Sequence, residues 1–447
     1  MTTSDLELPS IIKATIDASW GSGQGKLRLD EIFRDDPAKS RPLTGSLLLD
    51  DKSLIVTSTF DEKNYFISKL TVLGDVDANF GLEGRVMGTF CLDEKAFGGP
   101  IATSAKDAKD AKDANKRLFM AGSTTNGKEG EVWPVILCLD HEGKIVDDFG
   151  DEGKVIIKHP NEQWRAVQGP RFVFTTIDGS VIVGVNYHAG DASEKNVYKA
   201  LLYKFDAQGK PVEAFGTNGC VVIEGIHRAA VTSFSDGREI EDGRLLFAGY
   251  EKSDPDVNPE GLIVMLNPDG SLNEDFGPEE RRGYLVFREN YSGTEFNTVK
   301  QRVSNKFTAS GYQNKSNAFS NRYGLLLAFD ETGKPDLEIN RSRPIILPLH
   351  IDIGRERPVN WADHIAFDNN LVFCGGDEKD NYIGCVTSAD GSYASGFYGG
   401  HSYIHRQEPT ETLPRLHYQQ TPGKLIFALN LNLENPVGCV YRYDITQ

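Results

Sequence analysis

The 447-residue chain has no apolar run approaching the roughly 18 residues that a membrane-spanning helix needs, which argues against membrane insertion. Positive charge is in deficit. Lys and Arg number 48 against 65 Asp and Glu, a formal net charge of −17, so nucleic acid and anionic membrane, whose binding rests on clustered cations, are excluded as expected partners. Cysteine is scarce and dispersed: Cys91, Cys138, Cys220, Cys374, Cys385 and Cys439 contain no C-x-x-C pair, which argues against a zinc or redox motif and predicts reduced core thiols. Residues Met1 to Pro9 have neither a basic nor an apolar region, so no Sec signal peptide is expected. Cytoplasmic residence, or export by a route not needing such a signal, follows as the expectation. A Gly-x-Ser-x-Gly elbow, a phosphate-binding glycine loop and the twelve-residue EF-hand pattern are all missing, so no linear motif specifies a reaction.

What is present is a repeat. The stretch Asp140 to Ile157 joins an Asp-x-x-Gly turn, an anchor at Phe149-Gly150 and a β-branched run from Val155 to Ile157. Asp bonds its own backbone two residues on and Gly takes positive φ without steric cost, so the start is a tight turn and the end a strand. The anchor recurs as Trp20-Gly21, Phe80-Gly81, Phe215-Gly216 and Phe276-Gly277, then in degenerate form as Ile339-Asn340 and Phe397-Tyr398. Spacings between the seven anchors are 60, 69, 66, 61, 63 and 58, a period of about sixty residues.

A second signal falls once per unit, as a polar turn followed by a hydrophobic strand; Asp242-Gly243-Arg244-Leu245-Leu246-Phe247-Ala248-Gly249 is typical. A third apolar run then leads to the next turn, as from Trp133 to Leu139. With the strand after the anchor, each unit holds four short strands bounded by Gly, Asp and Asn and free of helical periodicity. Seven such units predict an all-β fold: a seven-bladed β-propeller of four-stranded antiparallel blades, in one domain spanning 1–447. The last unit ends without an anchor and the chain begins with one, at Trp20. The N-terminal strand is therefore expected to join the C-terminal blade and close the ring, three strands plus one, since an open ring leaves strand edges exposed. Residues 1–13 read as a leader. Residues 104–116, with a tandem Ala-Lys-Asp, read as a low-complexity inserted loop, or as a short helix braced by i,i+4 charges.

These residues resemble the delta-60 repeat family of β-propellers, whose units carry an Asp-Gly-x-Leu-Asp-x-x-Phe-Gly-x-x-Gly-x-Val line. Asp269-Gly270-Ser271-Leu272-Asn273-Glu274-Asp275-Phe276-Gly277 is the nearest copy, followed by Asp206 to Val221. The resemblance spans the chain and implies the fold, without implying a reaction. Ile339-Asn340, Phe397-Tyr398 and the displaced Gly283 depart from it.

Candidate site residues come from the stretches before the innermost strands. Trp361, a candidate ligand-binding residue, is grouped there with Asp363 and His364; in a channel Asp363 and His364 are candidates for acid–base or metal chemistry, against a reading as structural hydrogen bonding. Arg228, Arg302, Arg357, Arg415 and His417, with His227 and Arg355, fall in comparable stretches and predict a channel mouth more basic than the rest of the surface, suited to ligand binding. His401 and His405 have a zinc-like spacing without the following Glu, and no metal is assigned to them. The Asp-rich turns Asp75 to Asp77 and Asp254 to Asn258 leave calcium as the one cofactor option, against solvated turn carboxylates. The expected function is a non-enzymatic recognition module holding a protein partner, or a glycan or small molecule, on its loops and channel mouth. The alternative is a channel-centred enzyme of lyase, lactonase or sugar-dehydrogenase type, and a third is a structural component of a larger assembly.

Overall fold

In the computed structural model the described residues are 13–446 except 33–41, 61–62, 92–93, 105–115, 127–130, 160, 162, 190–196, 227–230, 289–292, 315–321, 353–354, 368, 377–379, 395–396, 398–402, 406–413, 420–422 and 432–435. The fold is all-β. No helix among these residues is long and apolar enough to cross a membrane.

Each sequence unit forms a four-stranded antiparallel meander. Unit one comprises Leu43–Leu48, Leu54–Phe60, Asn64–Leu70 and Arg85–Gly88, hydrogen-bonded in that order. Unit five repeats this with Thr294–Val303, Lys306–Asn314, Arg322–Asp330 and Ile345–Leu347, and unit six with Asn360–Phe367, Asn370–Gly376, Asn381–Thr387 and Tyr403–His405. Units two to four are linked into one larger sheet, partly through Arg165–Ala166, which pairs with strands of both unit two and unit three. In unit seven, Arg415–Gln419, Lys424–Leu431 and Val437–Thr446 are continued by the chain's beginning: Lys13–Ile16 and Lys26–Arg28 both pair antiparallel with Val437–Thr446.

The anchors explain how units meet. All seven of Trp20, Phe80, Phe149, Phe215, Phe276, Ile339 and Phe397 are buried. The residue after each of the first six donates its N–H to a turn carbonyl of the following unit: Gly21 to Leu73, Gly81 to Glu142, Gly150 to Gln208, Gly216 to Asp269, Gly277 to Thr332 and Asn340 to Ser388. That residue sits at positive φ, as at Gly150 (φ 61°), where an added Cβ meets the Lys154 carbonyl at 2.2 Å, so glycine is required. The degenerate Ile339-Asn340 keeps this geometry because Asn340, at φ 43°, is a residue that tolerates the left-handed region. The displaced Gly283 likewise retains positive φ (85°).

Among the described residues the apolar core falls into seven clusters, each drawn mainly from two consecutive units. The cluster holding Trp20, Leu43, Phe66, Ile426 and Val440 draws on units seven and one. Four of the six cysteines, Cys138, Cys374, Cys385 and Cys439, are buried, and all six are free thiols. One element departs from the expected repeat: Leu349–Asp352 and Arg355–Arg357 pair as a separate hairpin between units five and six. Most of the leader and of the inserted loop at 104–116 lie outside the described residues.

Candidate functional site at the first strands

The first strand of each unit touches the first strand of the next: Ile101–Thr103 meets Phe172–Thr175, which meets Val231–Glu239, then Thr294–Val303, Asn360–Phe367 and Arg415–Gln419. Leu43–Leu48 of unit one contacts both Arg415–Gln419 and Ile101–Thr103. The polar side chains on these strands make up the candidate site.

Asp363 and His364 lie here, fully buried, and every polar atom they own is engaged. His364 shares hydrogen bonds with Thr308 Oγ1 at 2.7 Å through Nε2 and with Ser310 Oγ at 2.8 Å through Nδ1, both from unit five. Asp363 Oδ2 accepts from the Leu416 N–H of unit seven at 3.0 Å, while Oδ1 accepts from the His364 N–H at 2.8 Å and pairs with Lys300 Nζ at 3.0 Å. Burial alone raises the Asp363 carboxyl; the charges of Lys300 and Arg415 overcome it and hold the group well below the usual carboxylate range. For His364, burial and then the Lys300 charge pull the imidazole down to about 3, so it is neutral at physiological pH.

Asp363 has a counterpart. A register shift interrupts the first strand of unit four between Phe234 and Asp236 and that of unit six between Trp361 and Asp363, and the two carboxylates follow these bulges opposite Ala248 and Cys374. Asp236 Oδ2 accepts from the Val299 N–H at 3.0 Å and from Thr298 Oγ1 at 2.6 Å, both in unit five. In each case a carboxylate set by a bulge satisfies an amide on the next unit's first strand. The sequence offered no signal for this pairing, because a bulge shifts the alternation that would reveal it.

The remaining candidates divide. His417 is half-buried, with Nε2 at 2.7 Å from Ser46 Oγ of unit one; burial is the largest influence and pulls its imidazole down to about 4. Arg415 opens the unit-seven strand within reach of Asp363 and His417 electrostatically. Arg302 is instead held by Asp336 and Glu338, each at 2.7 Å, and Arg357 by Asp380 at 2.5 Å. Trp361 is corrected outright. Its indole is fully buried between units five and six, stacked on Phe373 with centroids 4.1 Å apart and packed on Gly324, so it is a core residue and does not face a ligand. His227, Arg228 and His401, and the side chains of Arg355 and His405, lie outside the described residues.

The Asp-rich turns spend their carboxylates on their own backbone: Asp77 Oδ1 accepts from the Asn79 N–H at 3.1 Å, and Asp254 Oδ1 from the Asp256 N–H at 2.9 Å. Among the described residues no three His, Cys, Asp or Glu side chains are grouped to hold a metal ion. A cleft of about 390 Å3 opens between units one and two, lined by Tyr65, Phe90, Leu137, Asp147, Glu152 and Lys154.

No protein-family model and no curated protein sequence matches the chain. Solved structures do. A polysaccharide lyase, Uly1, is similar with a TM-score of 0.50 at 10% identity, over 90% of this chain and 90% of that one. The β-propeller domain of Cps50 (Swd1) from Myceliophteria thermophila is similar with a TM-score of 0.44 at 10% identity, over 92% of this chain and 99% of that one. The Dos1 propeller follows with 0.40 at 12% identity, over 89% and 81%. Identities this low speak to fold alone; they agree with an all-β chain whose structural neighbours include β-propellers.

Proposed function

We propose that the chain is a seven-bladed β-propeller of the delta-60 repeat type, closed three strands plus one by its N-terminal strands, and that it is a non-enzymatic recognition module for a protein partner. The ring reading is supported by Lys13–Ile16 and Lys26–Arg28 pairing on Val437–Thr446, by the Gly21-to-Leu73 bond that repeats the other inter-unit bonds, and by the core shared between units seven and one. A ring of this kind leaves a central channel walled by the first strands, with loops displayed from a stiff frame.

The observation that carries the recognition reading is the full engagement of Asp363 and His364 between units five, six and seven. A proton carrier needs a nitrogen free to reach substrate, and both imidazole nitrogens of His364 are bonded to Thr308 and Ser310. The lyase, lactonase or dehydrogenase alternative therefore loses its best acid–base pair to structure. Residence in the cytoplasm, or export without a Sec signal, belongs to the same proposal.

The test is in-cell crosslinking to the full chain, followed by reconstitution with the purified partner. Charge reversal by R415E is expected to weaken the purified pair by about tenfold or more, the scale of a lost charge-assisted contact at an interface. D363N, if folded by circular dichroism, is expected to retain binding. A reconstituted pair indifferent to R415E, or a folded D363N that loses turnover of a glycan or lactone substrate, overturns the reading.

A further inference from the structure

The cleft of about 390 Å3 between units one and two is built away from the first strands. Tyr65 and Leu137 come from the third strands of the two units, Lys154 from the fourth strand of unit two, and Asp147 and Glu152 from the turns on either side of its anchor. The floor is apolar and fixed. Tyr65 and Phe90 stack with ring centroids 4.8 Å apart, and both are buried with Leu137 in one core cluster. Tyr65 lies so close over its own unit's fourth strand that a Cβ added at Gly88 meets its hydroxyl at 2.7 Å. Ile145, an exposed apolar side chain, continues the floor toward solvent.

The rim is charged, and acid is in excess there. Lys154 Nζ lies 4.0 Å from Glu152 Oε2, at the limit of an ion pair. Asp147 makes no hydrogen bond or ion pair among the described residues, whereas Arg117 donates to both oxygens of the adjacent Asp148 at 3.1 Å. Two carboxylates therefore share one ammonium. The repeat marks this cleft as a departure. Leu137 and Lys154 are cross-strand partners in unit two, and their equivalents in unit three are Tyr203 and Cys220. That face of unit three is backed by a row of rings from both units: Tyr187 lies 6.2 Å from Tyr203, His159 lies 5.4 Å from Tyr187, and Trp164 stacks on His159 at 4.5 Å.

We infer that the cleft between units one and two receives a lysine or arginine side chain, with its apolar neighbours, from a basic segment of the protein partner. The stem of such a side chain covers apolar surface while its head stays at a wet rim, which matches a floor of Tyr65, Phe90 and Ile145 under Asp147 and Glu152. The volume is within the range of about 300–1,000 Å3 common to ligand clefts. A chain with a net charge of −17 also steers a basic partner toward its surface and repels an acidic one. The inference rests on the recognition reading proposed above and places one contact of that recognition outside the channel mouth.

The experiment titrates the full chain calorimetrically with acetyl-Leu-Arg-Leu-amide at low ionic strength, beside the same peptide with Glu in place of Arg. The arginine peptide is expected to saturate one site and to weaken as salt is raised, since screening acts on exposed charges, and the glutamate peptide not to bind. D147N/E152Q, folded by circular dichroism, is expected to bind the arginine peptide about fivefold or more weakly, the scale of two half-exposed ion pairs. T89R, which seats a guanidinium at the cleft from an exposed lining position, is expected to abolish binding. E213Q changes the acid that stands two residues before its anchor as Asp147 does, and is expected to bind like the wild type. Equal binding of both peptides, or arginine-peptide binding unchanged in folded D147N/E152Q and T89R, overturns the site. Agmatine binding as tightly as the arginine peptide assigns a free organic cation and overturns the partner segment. A purified partner that responds to R415E, with a chain that ignores the arginine peptide, overturns the cleft and leaves the recognition reading standing. Peptide binding weakened by D147N/E152Q, with a reconstituted pair indifferent to R415E, sustains the cleft and overturns the channel-mouth reading.

Discussion

His364 is the residue whose environment has the most direct consequence for stability. Buried among Thr308, Ser310 and Asp363 and beside the Lys300 charge, it is held neutral, its imidazole lowered from 6.5 to about 3. A base whose folded pKa lies below its unfolded value takes up a proton on unfolding, so its contribution to stability is present above about pH 6.5 and is lost as the pH falls toward 3. Between pH 6 and pH 4 this single group contributes a slope of up to about 1.4 kcal/mol per pH unit. In urea denaturation across that range, H364Q is expected to show a correspondingly flatter pH dependence; an unchanged slope contradicts a neutral buried imidazole. Asp17 behaves with the same sign at lower pH. It is buried against Lys424 at 2.9 Å and Arg442 at 2.7 Å, and burial, which raises it, is outweighed by Ser19, Lys424 and Arg442, which leave its carboxyl far below the usual range. Its stabilisation is therefore present above the unfolded carboxylate value near 4 and fades as the pH drops below it. Removing one partner of a buried pair costs about 3–5 kcal/mol, so D17A is expected to lower the unfolding free energy by that order at pH 7 and by about 1 kcal/mol less at pH 3, where the unfolded carboxyl has begun to protonate.

At the level of the element, the bulged first strands are what the repeat hides. Phe234/Asp236, Phe296/Thr298 and Trp361/Asp363 each mark a register shift in the pairing of first and second strands. The shift turns Trp361 into the core and frees Asp236 and Asp363 to satisfy amides of the next unit. The two carboxylates differ in their second partner: a neutral Thr298 hydroxyl for Asp236 and the Lys300 ammonium for Asp363. D236A should cost about 1–3 kcal/mol for an orphaned amide and hydroxyl, and D363A more, about 3–5 kcal/mol, because a charge is orphaned too. Chemical denaturation of both variants checks the order; equal losses would show that Lys300 is solvated without Asp363. Sequence inspection placed Asp363 and His364 together before a strand, close to where an innermost strand should run. It did not reveal what they bond, since Thr308, Ser310, Lys300 and Leu416 are supplied by neighbouring units.

For the whole molecule, the decisive contacts join the two ends of the chain. Trp20 is buried in a core with Phe66 of unit one and Val440 of unit seven, Arg442 reaches both Asp17 and the Val72 carbonyl, and Asn430 bonds both the N–H and the carbonyl of Leu43. A chain starting at residue 30 loses Trp20, Asp17 and two strands from the edge of Val437–Thr446. It is expected to aggregate or to melt far below the full chain in size-exclusion and circular-dichroism measurements, because an unpaired edge and an open core face are both exposed. W20A alone should cost about 3–5 kcal/mol, as for other buried aromatic truncations. A truncated chain that remains monomeric and as stable as the whole would refute the closure of the ring.

The sixty-residue period, the buried anchors and the left-handed glycines were legible in the linear order of residues, because turn chemistry and strand alternation are local and each copy repeats the same local demand. Even the degenerate Ile339-Asn340 anchor obeyed it, Asn340 standing in for glycine at positive φ. The burial of Trp361 in the core and the bracing by Asp236 and Asp363 were decided only in three dimensions. Each depends on which side chain of one unit meets which backbone of another. That is set by one-residue bulges and by packing across units far apart in sequence, and neither leaves a periodic trace in the chain.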